Sequence, residues 1–152
     1  MLDLINELSF ALGANPAKVR ANSKCLSADV SSAYDPNFPE VFEKQNSALI
    51  SCGAVFTKFT GSRGKSGTND ANAEYIGWLR GILAKDNVVW QAGELGKVDC
   101  GGGGTVAKYI SKHNIDTIDL GVPVVSMHAP YEAITKVDLY ETYRAVCAFN
   151  RN

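Results

Sequence analysis

Short apolar runs rich in strand-forming residues alternate with helical apolar stripes along this 152-residue chain. The runs of strand type are KCLSADV, NVVWQAG, DTIDLG and VPVVSM. Strands that alternate with helices form sheets covered by helices. We therefore predict an α/β fold, a three-layer α/β/α sandwich with a mostly parallel or mixed sheet, and a single domain.

Apolar residues at helical spacing predict the helices. The first helix carries Leu2, Ile5, Leu8 and Leu12 on one face, which we expect to pack on another element, and Gly13 ends it. We also expect a short helix from Pro16, a helix ending near Lys85 with Asn69 or Asp70 as its cap, and a helix capped by Thr105. The last predicted helix covers Lys136 to Phe149, and its apolar stripe consists of Val137, Tyr140, Tyr143, Val146 and Cys147. Residues 60–70 are predicted to form an exposed loop.

Charge and cysteine spacing narrow the class of protein. Fifteen Lys and Arg balance 16 Asp and Glu, and a chain with this charge lacks the basic surface that nucleic acid or an anionic membrane requires. The start of the chain has no basic segment and no apolar run of transmembrane length. The four cysteines form no C-x-x-C pair, so we expect reduced, buried thiols and a cytoplasmic protein.

Candidate functional residues follow the ends of the predicted strands, where α/β sheets collect ligands. Asp29 follows CLSA and His128 follows VVSM. Each residue has an ordinary structural explanation, because an Asp often caps a turn and a lone His is usually structural. Zinc sites need three or four protein ligands, and His113 lies at a predicted helix end, where the helix dipole explains it. From the residues alone, a metal site is incomplete.

Four consecutive glycines, Gly101, Gly102, Gly103 and Gly104, follow the NVVWQ run. They could bind a substrate backbone through their N–H groups, or they could form a tight turn. Their spacing matches no nucleotide-binding fingerprint. The flanking carboxylates Glu94 and Asp99 could act as an acid–base pair, but surface solvation is the simpler explanation. Lys58, Arg63 and Lys65 could likewise bind a substrate carboxylate, and a solvated surface is again the simpler explanation.

Four separated segments resemble the signature segments of M18 metallo-aminopeptidases, in the family's order. They are SADV at residues 27–30, GSRGKSGTNDANAE at 61–74, WQAGELGKVDCGGGGT at 90–105 and GVPVVSMHAPYE at 121–132. The resemblance covers nearly the whole chain from about Asn22 onward. It is nearer to the bacterial and yeast-vacuolar aminopeptidase I-like branch than to the animal aspartyl aminopeptidases.

The resemblance implies a zinc-peptidase (phosphorylase/hydrolase-like) fold and a peptidase that removes single N-terminal residues from peptides. It implies two Zn²⁺ ions in a complete active site, other divalent ions being possible. By the same resemblance Asp29 and His128 are metal ligands, the four glycines line the substrate pocket, and Lys58 lies near the substrate. We expect both ligands and the glycines to share one cleft.

The resemblance also implies parts that this sequence does not contain. The family uses a further histidine, a metal-bridging aspartate and a Glu-Glu pair from upstream segments, and none of these precedes Asn22. We therefore expect residues 1–152 to be the C-terminal portion of a catalytic domain, without the dimerisation domain and the N-terminal catalytic segment. Such a chain has no catalytic residue of its own, is inactive alone, needs the missing N-terminal part as a partner and forms homo-oligomers. The alternative is a non-catalytic truncated homologue that acts as a binding or oligomerisation module.

Overall fold

The computed structural model describes residues 1–62, 66–97 and 99–152 and shows an α/β fold. Arg63 and Lys65 lie outside the described residues, so their predicted substrate contact stays a prediction. The strands are β1 (Lys24–Ser27), β2 (Ser31–Ser32), β3 (Ala54–Thr57), β4 (Phe59–Ser62), β5 (Ser66–Asp70), β6 (Trp90–Ala92), β7 (Asp116–Gly121) and β8 (Pro123–Val124). The helices are α1 (Leu2–Ala11), α2 (Pro16–Ala21), α3 (Ala73–Lys85), α4 (Ala107–Ser111) and α5 (Lys136–Arg151), with a short 3₁₀ turn at Pro39–Val41.

A four-stranded mixed sheet with the order β1-β7-β3-β6 forms the centre of the molecule. The outer pairs β1–β7 and β3–β6 are parallel, whereas β3 and β7 are antiparallel. The register places Asp119 of β7 opposite Ser27 of β1 and Thr57 of β3. The predicted mixed sheet is therefore confirmed, and the antiparallel contact lies at its middle.

One face of the sheet carries the hydrophobic core. Alternation along the strands puts Phe56 of β3 and Ile118 and Leu120 of β7 on the same face. These side chains are buried against α3 and α5. The core residues from the two helices are Tyr75, Leu79, Ile82, Leu83, Ala145 and Ala148. Burial of this apolar surface at about 25 cal/mol per Å² is the main term that holds the two helices on the sheet.

The opposite face of the sheet is more polar, and a hairpin formed by β4 and β5 covers part of it. The buried Asn69 of β5 donates its Nδ2 hydrogen to the carbonyl oxygen of Thr117 at 3.0 Å. The predicted exposed loop over residues 60–70 is therefore wrong for its described part. Sequence patterns missed the hairpin because hydrogen-bonding side chains, rather than an apolar alternation, fix it to the sheet.

Two of the predicted helix caps are wrong. Asn72, not Asn69 or Asp70, caps α3, and its Oδ1 accepts a hydrogen bond from the Tyr75 amide at 2.7 Å. Helix α4 begins at Ala107, and the Thr105 hydroxyl makes no cap but donates to Asp119. Both helices nonetheless occur where the apolar periodicity predicted them.

The buried stripe of α5 is not the predicted apolar one. Val137, Tyr140 and Tyr143 are 59%, 60% and 62% exposed, whereas Asp138 and Glu141 are buried. The acidic side chains face inward because each accepts hydrogen bonds from the backbone of a loop that enters the sheet. Their burial is favourable only because those acceptors are satisfied.

Asp138 is the central anchor of α5. Its Oδ2 accepts from the Ser51 amide at 2.7 Å and its Oδ1 from the Gly53 amide at 2.8 Å, just before β3. The Thr135 hydroxyl donates to the same carboxylate at 2.6 Å. Glu141 holds the residue before β6 in the same way, because its Oε2 accepts a hydrogen bond from the Val89 amide at 2.8 Å. The two carboxylates thus set where β3 and β6 begin relative to α5.

The first helix keeps its predicted bounds but not its predicted packing. Leu8 and Leu12 are 54% and 82% exposed, and Ser9 is the one residue of α1 that is buried. None of the described helices has the length and apolar character to cross a membrane. All four cysteines are free, but Cys52 and Cys100 are exposed, so the predicted burial is wrong for these two thiols.

We predict that Asp138→Ala lowers the free energy of unfolding by about 3 kcal/mol, because it leaves the buried Gly53 amide and the Ser51 amide without acceptors. Urea denaturation measures the change. Leu139→Ala, at a half-exposed position one residue further along α5, is the control and should cost less than about 1 kcal/mol. Equal losses for the two variants would contradict the anchoring role of Asp138.

Candidate functional site

Asp29 and His128 line one cleft with a volume of about 350 Å³, which we call the main cleft. Its wall also contains Gly102, Gly103 and Gly104. Segments from three separate parts of the chain therefore meet there. The other lining residues are Val30, Ser32, Leu95, Gly96, Thr105 and Met127.

Asp29 owes its place to a close approach between two backbones. Strand β1 ends at Ser27, and the Asp29 amide donates to the Ser27 carbonyl oxygen at 2.9 Å, which turns the chain. A Cβ atom on Gly121, at the end of β7, would lie 1.9 Å from the Asp29 carbonyl oxygen. Only glycine permits this contact. The Ser31 amide then donates to the Val122 carbonyl oxygen at 3.0 Å, and β2 continues parallel to β8.

His128 lies in a closed loop that follows β8. Val125 and Ala133 exchange two backbone hydrogen bonds, of 2.9 and 3.1 Å, across the base of this loop. His128 itself has a left-handed backbone with a φ of 68°, and its amide donates to Glu132 Oε1 at 2.5 Å. A left-handed conformation in a residue other than glycine is strained and persists where the surroundings impose it. The loop thus fixes the backbone that carries the imidazole.

The glycine run is packed against the β4–β5 hairpin. Gly102 has a φ of +96°, and a Cβ there would lie 2.2 Å from the Gly61 carbonyl oxygen. A Cβ on Gly104 would lie 2.9 Å from the Gly67 carbonyl oxygen. Gly103, in contrast, has open space around its missing side chain. Close contact with the hairpin backbone accounts for the glycines at positions 102 and 104, and the choice between substrate binding and a tight turn stays a prediction.

Gly101 and Lys58 do not line the main cleft. Gly101 borders a second pocket, which shares Gly102 with the main cleft and also contains Glu94 and Asp99. Lys58 borders a third pocket, which shares Glu94 with the second. The ammonium group of Lys58 forms an exposed ion pair with Asp70. The predicted substrate residues therefore border three pockets, of which the second shares lining residues with each of the other two, and Lys58 and Asp29 border different pockets.

Sequence reasoning missed the most unusual side chain near the cleft, that of Asp119. This residue is 3% exposed, and its Oδ2 accepts from the Thr105 hydroxyl at 2.7 Å. Burial raises the pKa of the Asp119 carboxyl and so does the charge of Asp29, while the hydroxyls of Ser27 and Thr105 lower it. The sequence contained a signal: an acidic residue stands between Ile118 and Leu120 within an apolar strand.

The donor types at the main cleft suit zinc, but their number is small. A carboxylate oxygen from Asp29 and an imidazole nitrogen from His128 are ligands that zinc binds in proteins. Within the described part of the chain, no group of three or more His, Cys, Asp and Glu side chains is arranged to hold a metal ion. His113 is exposed and lies beyond the end of α4, outside the main cleft. Asp29 and His128 thus fit a partial metal centre.

The sequence profile of one family, described as "Aminopeptidase I zinc metalloprotease (M18)", matches residues 3–150. A curated relative from Clostridium acetobutylicum, described as "Probable M18 family aminopeptidase 1", is 56% identical over 135 residues, which are 89% of this chain and 29% of that protein. The chain belongs to the M18 family of zinc metallo-aminopeptidases.

Solved structures show the same relationship. The crystal structure of aminopeptidase I from Clostridium acetobutylicum matches with a TM-score of 0.88 and 52% identity, over 95% of this chain and 32% of that one. The M18 aminopeptidase from Thermotoga maritima matches with a TM-score of 0.90 and 38% identity, over 97% of this chain and 34% of that one. The chain spans about a third of the length of these relatives.

We predict opposite outcomes for alanine at two adjacent glycines of the run. Gly102→Ala should destabilise the protein by about 2 kcal/mol or more, because the φ of Gly102 is left-handed and the new methyl group would overlap the Gly61 carbonyl. Gly103→Ala is the control and should change stability by less than about 1 kcal/mol. Urea denaturation of both variants tests this, and a Gly103 loss as large as the Gly102 loss would contradict the described packing.

Proposed function

We propose that this chain supplies two metal ligands, Asp29 and His128, and part of the substrate pocket to the active site of a di-zinc M18 aminopeptidase. The observation that carries the proposal is the shared cleft of these two side chains, which are 99 positions apart in the sequence. The chain then acts as the C-terminal portion of a catalytic domain with a three-layer α/β/α arrangement of the zinc-peptidase type.

The residues of the main cleft have distinct tasks in this proposal. Asp29 and His128 each contribute one donor, and the fixed backbones around both keep the donors in place. Zinc, when bound, supplies Lewis-acid polarisation of a peptide carbonyl. Gly103 and its neighbours offer backbone N–H groups and an open surface to the substrate backbone.

Lys58 and Glu94 give the proposed substrate pocket its charged residues. Lys58 borders the third pocket, which adjoins a glycine-lined pocket, and its ammonium group is paired with the exposed carboxylate of Asp70. An ammonium group there could pair with a carboxylate of the peptide. This role for Lys58 rests on the adjoining pockets rather than on contact with the main cleft.

The remaining ligands and the general base come, in this proposal, from another part of an M18 polypeptide. Two donors are fewer than the three or four that a zinc site uses, so residues 1–62, 66–97 and 99–152 hold no complete site by themselves. The partner is thus the N-terminal part of such an enzyme, and the substrate is a peptide. Isolated residues 1–152 are inactive in this view.

A binding or oligomerisation module is the second candidate, and exposed apolar faces favour it. Helix α1 exposes Leu4, Leu8, Phe10 and Leu12, each by more than half. Helix α5 exposes the stripe of Val137, Tyr140 and Tyr143. Apolar faces of this kind mark contacts with another chain or segment. The same apolar faces also support homo-oligomer formation within the first proposal.

The four free thiols support a cytoplasmic location in this proposal.

Zinc binding tests the ligand assignment. We predict that Asp29→Ala and His128→Ala each weaken zinc binding by at least about tenfold, since even outer-shell changes have effects of that size. Isothermal calorimetry on the purified chain measures the affinities. His113→Ala and Asp3→Ala are the matched controls, because both side chains are exposed and lie outside the main cleft, and they should leave the affinity unchanged. Unaltered zinc binding in both ligand variants would show the assignment to be wrong.

Reconstitution separates the two candidate functions. We predict that mixing this chain with the portion of the Clostridium acetobutylicum relative that it does not match restores cleavage of an aminoacyl substrate. His128→Ala in this chain should abolish that cleavage and leave association unchanged. Association without any cleavage by the wild-type pair would favour the binding module.

A further inference from the structure

Asp119 is a buried acid at the centre of the sheet, next to the main cleft but outside its lining. It lies on the polar face of β7, between Ser27 and Thr57 of the neighbouring strands. Its Oδ1 is fully buried and no hydrogen bond of normal geometry reaches it from the described residues, although the Ser27 hydroxyl on the neighbouring strand is near enough to lower the pKa of the carboxyl. A buried acceptor without a partner costs about 1–3 kcal/mol, and more when it is charged. Stability alone therefore gives no reason for an acid at this position.

The other oxygen of Asp119 begins a short series of hydroxyl contacts. Oδ2 accepts from Thr105 Oγ1 at 2.7 Å, and Thr105 Oγ1 lies 3.3 Å from Thr60 Oγ1. Because the Thr105 proton points to the carboxylate, the Thr60 hydroxyl donates to Thr105. The series joins β4 of the hairpin, the end of the glycine run and β7 of the central sheet.

Thr105 connects the Asp119 carboxylate to the main cleft. It lines the cleft itself and directly follows Gly104. Four consecutive glycines have a wide range of backbone conformations, so their position depends on what holds their ends. Gly102 rests on the Gly61 carbonyl, and Thr105 is held by the Asp119 carboxylate.

We propose that Asp119 is a positioning residue, which holds Thr105 and thereby sets the glycine run at the wall of the main cleft where the substrate backbone binds. The substrate part of this inference rests on the proposed function, whereas the contact between Asp119, Thr105 and the glycines does not. The carboxylate acts through Thr105 and does not itself touch the cleft.

Backbone NMR on the full chain tests the inference with paired variants. Thr105→Val and Asp119→Ala remove the donor and the acceptor, and both should shift the amide signals of Gly102, Gly103 and Gly104 more than those of the core residues Leu79 and Ala145. Thr105→Ser and Asp119→Asn keep a hydroxyl donor and a carbonyl acceptor, and both should return the glycine signals to near their wild-type positions. The double variant Thr105→Val with Asp119→Ala should show the same glycine shifts as either single variant, because the two side chains act as one unit.

Three results would overturn the positioning role. These are unchanged glycine signals in Thr105→Val, shifts spread equally over the core, and no recovery in Thr105→Ser. The Thr105 pair decides the question even where Asp119→Ala fails to fold. A zinc titration followed in the same wild-type spectra reports on Asp29 and His128 separately. Absent zinc shifts at those two residues would count against the proposed function, and the glycine signals would still decide the role of Asp119.

Discussion

The close approach of Gly121 to the Asp29 carbonyl oxygen is the contact on which the cleft depends. It allows the chain leaving β1 to cross the end of β7 with no side chain between them, so β2 can pair with β8. The segment after β8 then continues into the loop of His128. Because β1 and β7 are parallel neighbours, one glycine brings the two proposed ligands to the same side of the sheet.

A second constraint acts from the opposite side of the molecule. Asp138 and Glu141 of α5 hold the residues that precede β3 and β6, the parallel pair that runs antiparallel to β7. The β4–β5 hairpin follows β3, and the glycine run follows β6. The two buried carboxylates therefore fix the origins of both segments that meet at Gly102. Packing of the core under α3 supplies the stabilising free energy, and the hydrogen bonds of Asp138 and Glu141 align the starts of β3 and β6.

Local periodicity was enough to predict much of the fold. Helix α3 ends at Lys85 as predicted, and α5 occurs in its predicted place, because long periodic segments carry their own signal. The inward face of α5 was wrong because Asp138 finds its partners 87 and 85 residues away, at Ser51 and Gly53. No local pattern encodes such partners. The ends of the strands identified Asp29 and His128. The contact between Gly121 and Asp29, which brings the two residues to one cleft, depends on the order of the strands in the sheet.

Three departures from local sequence preference lie near the main cleft. They are a left-handed histidine in the loop after β8, His128, and two residues of β7: a glycine with no room for Cβ, Gly121, and a buried acid, Asp119. Each is unfavourable by itself and persists because the surrounding core compensates for it. Left-handed residues other than glycine also occur at Ser51, Asn87 and Asn114, away from the cleft, so such departures alone do not locate a site. The cleft is distinguished because its departures lie beside the two residues, Asp29 and His128, that the strand ends had identified.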